Sequence, residues 1–144
     1  VDGRSTSKAW QFTRNSDNFQ KSCGLYTIRF VWYSLDQKDF ERFSAEQRVL
    51  VYEPDERIHG VMLFEESGTE VGIEKSIQSC YIDSDTTGGI QALSLFLVNY
   101  AANYGLETVR LWTYFDRGII ESLRQVGVTG EEDESTEILY EKRL

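Results

Sequence analysis

The chain has 144 residues, 40% hydrophobic and 13% aromatic, enough for one domain with a proper core and too apolar for wholesale disorder. Its formal net charge of −9 argues against nucleic-acid backbones and anionic membrane surfaces as partners, because both require basic patches. Two cysteines without metal-ligand spacing, Cys23 and Cys80, are expected as reduced thiols of a cytoplasmic protein, and one histidine, His59, excludes a multi-histidine metal centre.

The opening VDGRSTSKAW lacks the apolar core of a signal peptide, and the missing initiator Met fits a processed product or an excised domain. Residues 1–7 are expected to be loose. The segment 8–23 has room for two short helical turns, with Trp10, Phe12 and Phe19 available for docking. GLYTIRFVWYSL (24–35), rich in aromatic and β-branched residues, predicts a strand. Asp36 then caps a short amphipathic helix, with Asp39 three residues on and Phe40 and Phe43 on one face. RVLVYE and IHGVMLFEES predict a hairpin around Pro54, Asp55, Glu56 and Arg57, a turn in which the fixed φ of proline is useful.

A strand is predicted at 72–83, a helix from Gly88 to Gly105 and a further strand at 107–115. A helix capped by Asp116 and closed by Gly127 comes next, then a solvated charged loop, EEDESTE, and a last strand, ILYEKRL. The order β-α-β-β-β-α-β-α-β predicts an α/β fold with a mixed, partly antiparallel central sheet and helices packed on it. The β-helix-β unit of 72–115 is expected as a right-handed parallel crossover.

The stretch TTGGIQALSLFLVNYAANYG (86–105) holds no charge, yet Gln91, Ser94, Asn99 and Asn103 interrupt it, so it predicts a buried helix and not a membrane span. Its start leaves backbone N–H groups unpaired at the positive end of the helix dipole. Gly88 and Gly89 keep side chains away there, so a pyrophosphate can approach; a tight strand-to-helix turn explains the same pair.

The element order, the DERIHGVMLFEE hairpin, the GGIQALSLFLVNYAANYGLETVRLWT run and the IIESLRQVGV…ILYEKRL ending together resemble the GNAT acetyltransferase superfamily over about residues 25–144, with 1–24 as an N-terminal extension. The resemblance implies transfer of an acetyl group from acetyl-CoA to an amine of a small molecule or protein. It places the pantetheine arm against the backbone of Cys80, Tyr81 and Ile82, and the pyrophosphate at Thr87, Gly88, Gly89 and Ile90. The family pattern there is Arg or Gln, two residues, Gly, one residue, then Gly or Ala. Laid on Gly88, it finds Asp85 and Ile90 at its first and last positions; a carboxylate repels phosphate, and an isoleucine side chain obstructs the amides. A shift to Gly89 puts Thr86 and Gln91 there instead.

An amine acetyltransferase needs a base for the attacking ammonium and a proton donor for the leaving thiolate. Glu74, on the strand before the helix, is the first candidate base, and Glu65 and Glu66 follow; each also reads as an exposed strand residue. The family's tyrosine donor falls on or near Leu123, so Tyr114 is the candidate in its place, with a core aromatic as the alternative. The helical segment between the first two strands is shorter than the family's, and WQFTRNSDNFQKSCGLYTIRF reads like the junction into the second, often degenerate half of a tandem GNAT protein. A preceding domain or a second copy is the implied partner. A catalytically silent GNAT-like binding module, and an unrelated mixed α/β domain, stand as alternatives.

Overall fold

A computed structural model describes residues 3–28, 31–67, 75–114, 121, 124–125, 129–132 and 137–143. Two helices open it, α1 (Gly3–Asn15) and α2 (Asp17–Lys21), followed by β1 (Leu25–Ile28), β2 (Val31–Ser34) and α3 (Gln37–Ala45). Then come β3 (Val49–Tyr52), β4 (Gly60–Ser67), β5 (Ser76–Ser84), α4 (Thr87–Asn103), β6 (Thr108–Tyr114), β7 (Thr129–Glu132) and β8 (Glu137–Arg143). Six strands form one mixed sheet in the order β3-β4-β5-β6-β8-β7. Only β5 and β6 in it are parallel neighbours, joined through α4, as the β-helix-β pattern predicts.

Several expected elements differ in detail. The segment 24–35 is not one strand of the main sheet; β1 and β2 pair antiparallel, Leu25 with Ser34 and Ile28 with Val31, as a separate two-stranded sheet. Uniform aromatic and β-branched composition hid the reversal, because Arg29 and Phe30 carry none of the usual turn chemistry. The first helix starts at Gly3, so residues 3–7 are helical rather than loose. Its side chains Ala9 and Thr13 are fully buried, and Trp10 packs edge-on to Phe19 and against Phe40. The charged run at 131–137 supplies Glu131 and Glu132 to β7 and Glu137 to β8, so a strand lies where sequence alone gives a loop. Charges suit that edge of a sheet, since β7 has a single neighbour.

Local signals elsewhere act as predicted. Asp36 accepts from the Asp39 N–H at 2.8 Å and Asp39 accepts in return from the Asp36 N–H, a reciprocal capping box at the start of α3. The Asp39 N–H bond holds the Asp36 carboxyl below its ordinary pKa. Phe40 and Phe43 are both buried.

Two core clusters cover the sheet. Under α4, Met62, Phe64, Ile77, Ile82, Ile90, Leu93 and Leu97 pack together with Val109 and Leu111. The other cluster joins Val61, Leu63, Cys80 and Tyr81 to Tyr26, Phe40, Phe43 and Ala9. Strand β4 alternates strictly between them: Val61 and Leu63 in the second cluster, Met62 and Phe64 in the first. Strand β5 does not. Leu63 pairs with Tyr81 while Phe64 pairs with Ser79, so Cys80 is an extra residue, a β-bulge. Cys80 and Tyr81 consequently lie in the same cluster although they are consecutive.

Leu97 is fully buried and Phe96 beside it is 54% exposed. Leu97→Ala is expected to cost about 2–5 kcal/mol by transfer and cavity terms, and Phe96→Ala to change stability by less than about 1 kcal/mol. Urea denaturation midpoints of the two variants measure the contrast.

Candidate functional site

The bulge also marks where β5 leaves its other neighbour. Parallel pairing with β6 runs from Ser76–Thr108 to Ser79–Leu111 and stops, although β5 continues to Ser84 and β6 to Tyr114. A bulge bends its strand and increases the local twist, which turns the end of β5 away from β6. The two strand ends therefore flank a gap, with Cys80, Tyr81 and Ile82 on one wall and the backbone of Tyr114, paired with Glu137, ending the other.

Thr86, just beyond β5, is extended (φ −132°, ψ 148°) and caps α4 by accepting from the Gly89 N–H at 3.0 Å. The preceding N–H groups, of Thr87 and Gly88, have no partner within the helix. Thr87 and Gly88 are exposed. The two glycines differ in what they do. A Cβ on Gly88 meets nothing within 4 Å, so its face of the turn is open, whereas a Cβ on Gly89 falls 2.0 Å from Ser84 Oγ. Gly89 is thus explained by close packing of strand end on helix start, while packing gives no reason for Gly88.

The fold engages both residues that depart from the family pattern at this helix start. Ile90 is 3% exposed and belongs to the core under α4, so its side chain turns away from the mouth. Asp85 is held by His59, whose Nδ1 lies 2.9 and 3.2 Å from its two carboxylate oxygens. The opposite ring nitrogen, Nε2, lies 2.9 Å from Asp55 Oδ1. Asp55 in turn accepts from the Arg57 N–H and pairs with its guanidinium at 3.6 Å. His59 therefore bridges two aspartates rather than standing idle before β4. The Asp85 hydrogen bond, with the charge of Asp55 behind it, raises the His59 pKa above its ordinary value against a smaller desolvation effect. Partial desolvation of Asp55 is outweighed by the bonds from Arg57 and His59, so its carboxyl lies below the ordinary range.

On the opposite face, Asp83 is 1% exposed and accepts from Asn18 Nδ2 at 2.6 Å, from Tyr81 Oη at 3.0 Å and from Ser16 Oγ. Ser16 also caps α2 by accepting from the Phe19 N–H. One buried carboxylate thus fastens the α1–α2 junction to the end of β5. An open cavity of about 840 Å³ lies there, between Asn15 and Asn18, Glu53 and Arg57 of the hairpin loop, and Asp83 and Asp85.

Among the remaining candidates, Glu66 accepts from Tyr100 Oη at 2.8 Å, which raises the tyrosine pKa and ties β4 to α4. Glu65 stands opposite Gln78 across the ladder, with one buried carboxylate oxygen lacking a hydrogen-bond partner among the described residues. Burial, with the charge of Glu65 added, pushes the Cys80 thiol pKa far up, so Cys80 is a core filler with a useful backbone. Glu74 and Leu123 lie outside the described residues, as does Asp116. Sequence reasoning missed Asp83 and the His59 bridge; the Ser16-x-Asn18 pair and an aspartate on either side of Ser84 are the only traces they leave in the sequence. Among the described residues no group of His, Cys, Asp and Glu is arranged to hold a metal ion, and no helix is long and apolar enough to cross a membrane.

Gly88→Ala is expected to be neutral or stabilising by up to about 1 kcal/mol, while Gly89→Ala, which must displace Ser84, costs about 1–3 kcal/mol; thermal melts separate them. A raised His59 pKa means that the folded state holds this proton more tightly than the unfolded chain. The stabilisation is complete below the ordinary value of about 6.5 and is lost as pH rises through the folded value. The urea midpoint of the native chain is expected to fall across that window, and that of His59→Gln to stay level.

No sequence-family model matches the chain, nor does any curated protein. Solved structures do. The GNAT domain of S. lividans PAT superposes with a TM-score of 0.72 at 14% identity, covering 100% of this chain and 88% of that one. A GNAT-family acetyltransferase from Listeria monocytogenes gives 0.69 at 12%, covering 100% and 92%. The Salmonella typhimurium protein yncA, solved with its cofactor acetyl-CoA, gives 0.61 at 12%, covering 96% and 85%. With identities this low the likeness is one of architecture, and this chain has the fold of the GNAT acetyltransferases.

Proposed function

We propose that the chain binds an acyl-CoA in the gap between β5 and β6 and acts as an N-acetyltransferase on an amine. The observation that carries this reading is the coincidence of bulge, strand parting and open helix start along one strand: pairing with β6 stops at Ser79, Cys80 is the extra residue, and α4 begins with an open Gly88. A pantetheine arm needs strand backbone to lie against, and a pyrophosphate needs unpaired N–H groups at a helix start without a side chain in the way. Cys80, Tyr81 and Ile82 are suited to the first, and the Thr87 and Gly88 amides to the second, while the Gly89 N–H is taken by the Thr86 cap. Ile90 contributes its place in the first turn while its side chain anchors the helix. A GNAT-fold neighbour solved with acetyl-CoA supports the choice of ligand.

Bound acetyl-CoA supplies the acyl group. The protein's own part is to hold the thioester between the parted strands, to take a proton from the incoming ammonium and to return one to the leaving thiolate. Glu74 is assigned the first proton and Tyr114, at the end of the β6 wall, the second. Glu66 is engaged by Tyr100, which leaves Glu65 as the second candidate base. The acceptor amine has space on the Asp83 side, in the cavity between the α1–α2 junction and the hairpin loop, which Asp17, Glu53 and Glu56 line together with Lys8, Lys21 and Arg57.

Calorimetric titration with acetyl-CoA tests binding, and Gly88→Val, which fills the open face, is expected to weaken it at least tenfold. With an accepted amine in hand, Glu74→Gln and Tyr114→Phe are each expected to lower kcat by about 10²–10⁴, and Glu66→Gln to leave it within a few-fold of native. No binding by the native chain would move the reading to a GNAT-fold binding module without catalysis.

A further inference from the structure

The odd residue of the phosphate loop is Asp85, and the structure pairs it with the only histidine in the chain. We propose that His59 is a positioning residue for the coenzyme phosphates: as the imidazolium it cancels the charge of Asp85 at the mouth of α4, and acyl-CoA affinity follows its protonation. The inference rests on the acyl-CoA reading above.

Asp85 immediately precedes Thr86, the cap of α4, so its carboxylate lies no more than three residues from the Thr87 and Gly88 amides. At about 3.5 Å of reach per residue that is within roughly 10 Å, comparable to the screening length in physiological salt. A bare carboxylate at that range opposes a pyrophosphate and offsets much of the attraction of the helix dipole. His59 removes the opposition in place, with Nδ1 on both Asp85 oxygens.

The main chain ties the same residues together. The Asp85 N–H donates to the His59 carbonyl at 3.1 Å, the Ser84 hydroxyl donates to that carbonyl as well, and Ser84 Oγ accepts from the Thr86 N–H at 3.1 Å. The ring is therefore fixed to the same turn that carries the cap. Asp55 faces Nε2 from the hairpin loop and Arg57 faces Asp55, while Glu53, Glu56 and Asp83, with Lys8, Asp17 and Lys21 of the N-terminal helices, line the adjoining cavity. Loss of the imidazolium proton leaves the Asp85 carboxylate, next in sequence to the cap, without its cationic partner.

The charge arithmetic gives a clean test. His59 and Asp85 together carry zero charge when His59 is protonated and −1 when it is not; His59→Gln carries −1 at every pH, and His59→Gln/Asp85→Asn carries zero at every pH. Acetyl-CoA affinity is measured by calorimetry between roughly pH 6 and 9.5 on all three proteins, so that the ligand's own phosphate ionisation, near pH 6, is common to them. Native affinity is expected to fall about fivefold more than that of the double variant as pH rises. His59→Gln is expected to bind about fivefold more weakly than the native chain at the low end, and the double variant to match native low-pH affinity throughout. Acetyl-pantetheine, which lacks the phosphates, is expected to show none of these differences.

Acetyl-CoA binding with the same pH profile in native and His59→Gln chains overturns the inference and leaves the acyl-CoA reading standing. Equal pH sensitivity for acetyl-pantetheine does the same. No binding of acetyl-CoA by any of the three proteins overturns both. Circular dichroism checks that the variants fold, and if either does not, the native comparison of acetyl-CoA with acetyl-pantetheine decides alone.

Discussion

One extra residue in β5 organises the molecule. Ile77 and Ile82 are five positions apart, an odd spacing that puts them on opposite faces of a regular strand, yet both sit in the core under α4. The bulge at Cys80 makes this possible by shifting the register between Leu63 and Phe64. Without it Ile82 would face the α1 side and the carboxylate of Asp83 would enter the apolar core under α4. With it, Asp83 reaches Ser16 and Asn18, the helical junction docks, and pairing with β6 ends where the strand bends. Core, docking of the N-terminal helices and the proposed ligand gap therefore share a single cause.

The second constraint is electrostatic. The protein is acidic throughout, and the proposed ligand is an anion, so the mouth of α4 has to be kept from the general trend. The first turn of the helix holds no basic side chain; in the proposed reading the dipole and open amides attract, and His59 as the imidazolium offsets the nearest carboxylate. Arg57 performs the same service for Asp55 one layer further out. A loop that departs from the usual pattern of basic or amide side chains can thus remain compatible with phosphate through partners distant in sequence.

The two faces of the sheet then serve different ends. The α4 face is a largely apolar core, with a polar tie from Tyr100 to Glu66 at its margin. The α1 face mixes aromatic packing with a buried carboxylate network and opens to a cavity lined by charges of both signs. In the proposed reading, acyl group and acceptor approach the end of β5 from these two sides, each in its own environment.

Much of the architecture was legible from residue order. Asp36 with Asp39, the proline turn and the uncharged 86–105 helix each depend on neighbours within a few positions, where capping, fixed φ and periodicity operate. By themselves these determined an α/β chain with a mixed sheet and a glycine-led helix start. What tertiary structure alone decided are the features made by residues far apart: the reversal inside 24–35, the extra residue at Cys80, Asp83 reaching back 65 and 67 positions to Asn18 and Ser16, and His59 meeting Asp85 across 26. A bulge is visible only against a partner strand, and a charge is only as repulsive as its neighbours allow. For that reason Ile90 and Asp85 read as damage in one dimension, and in three they are a core anchor and the hydrogen-bond partner of His59.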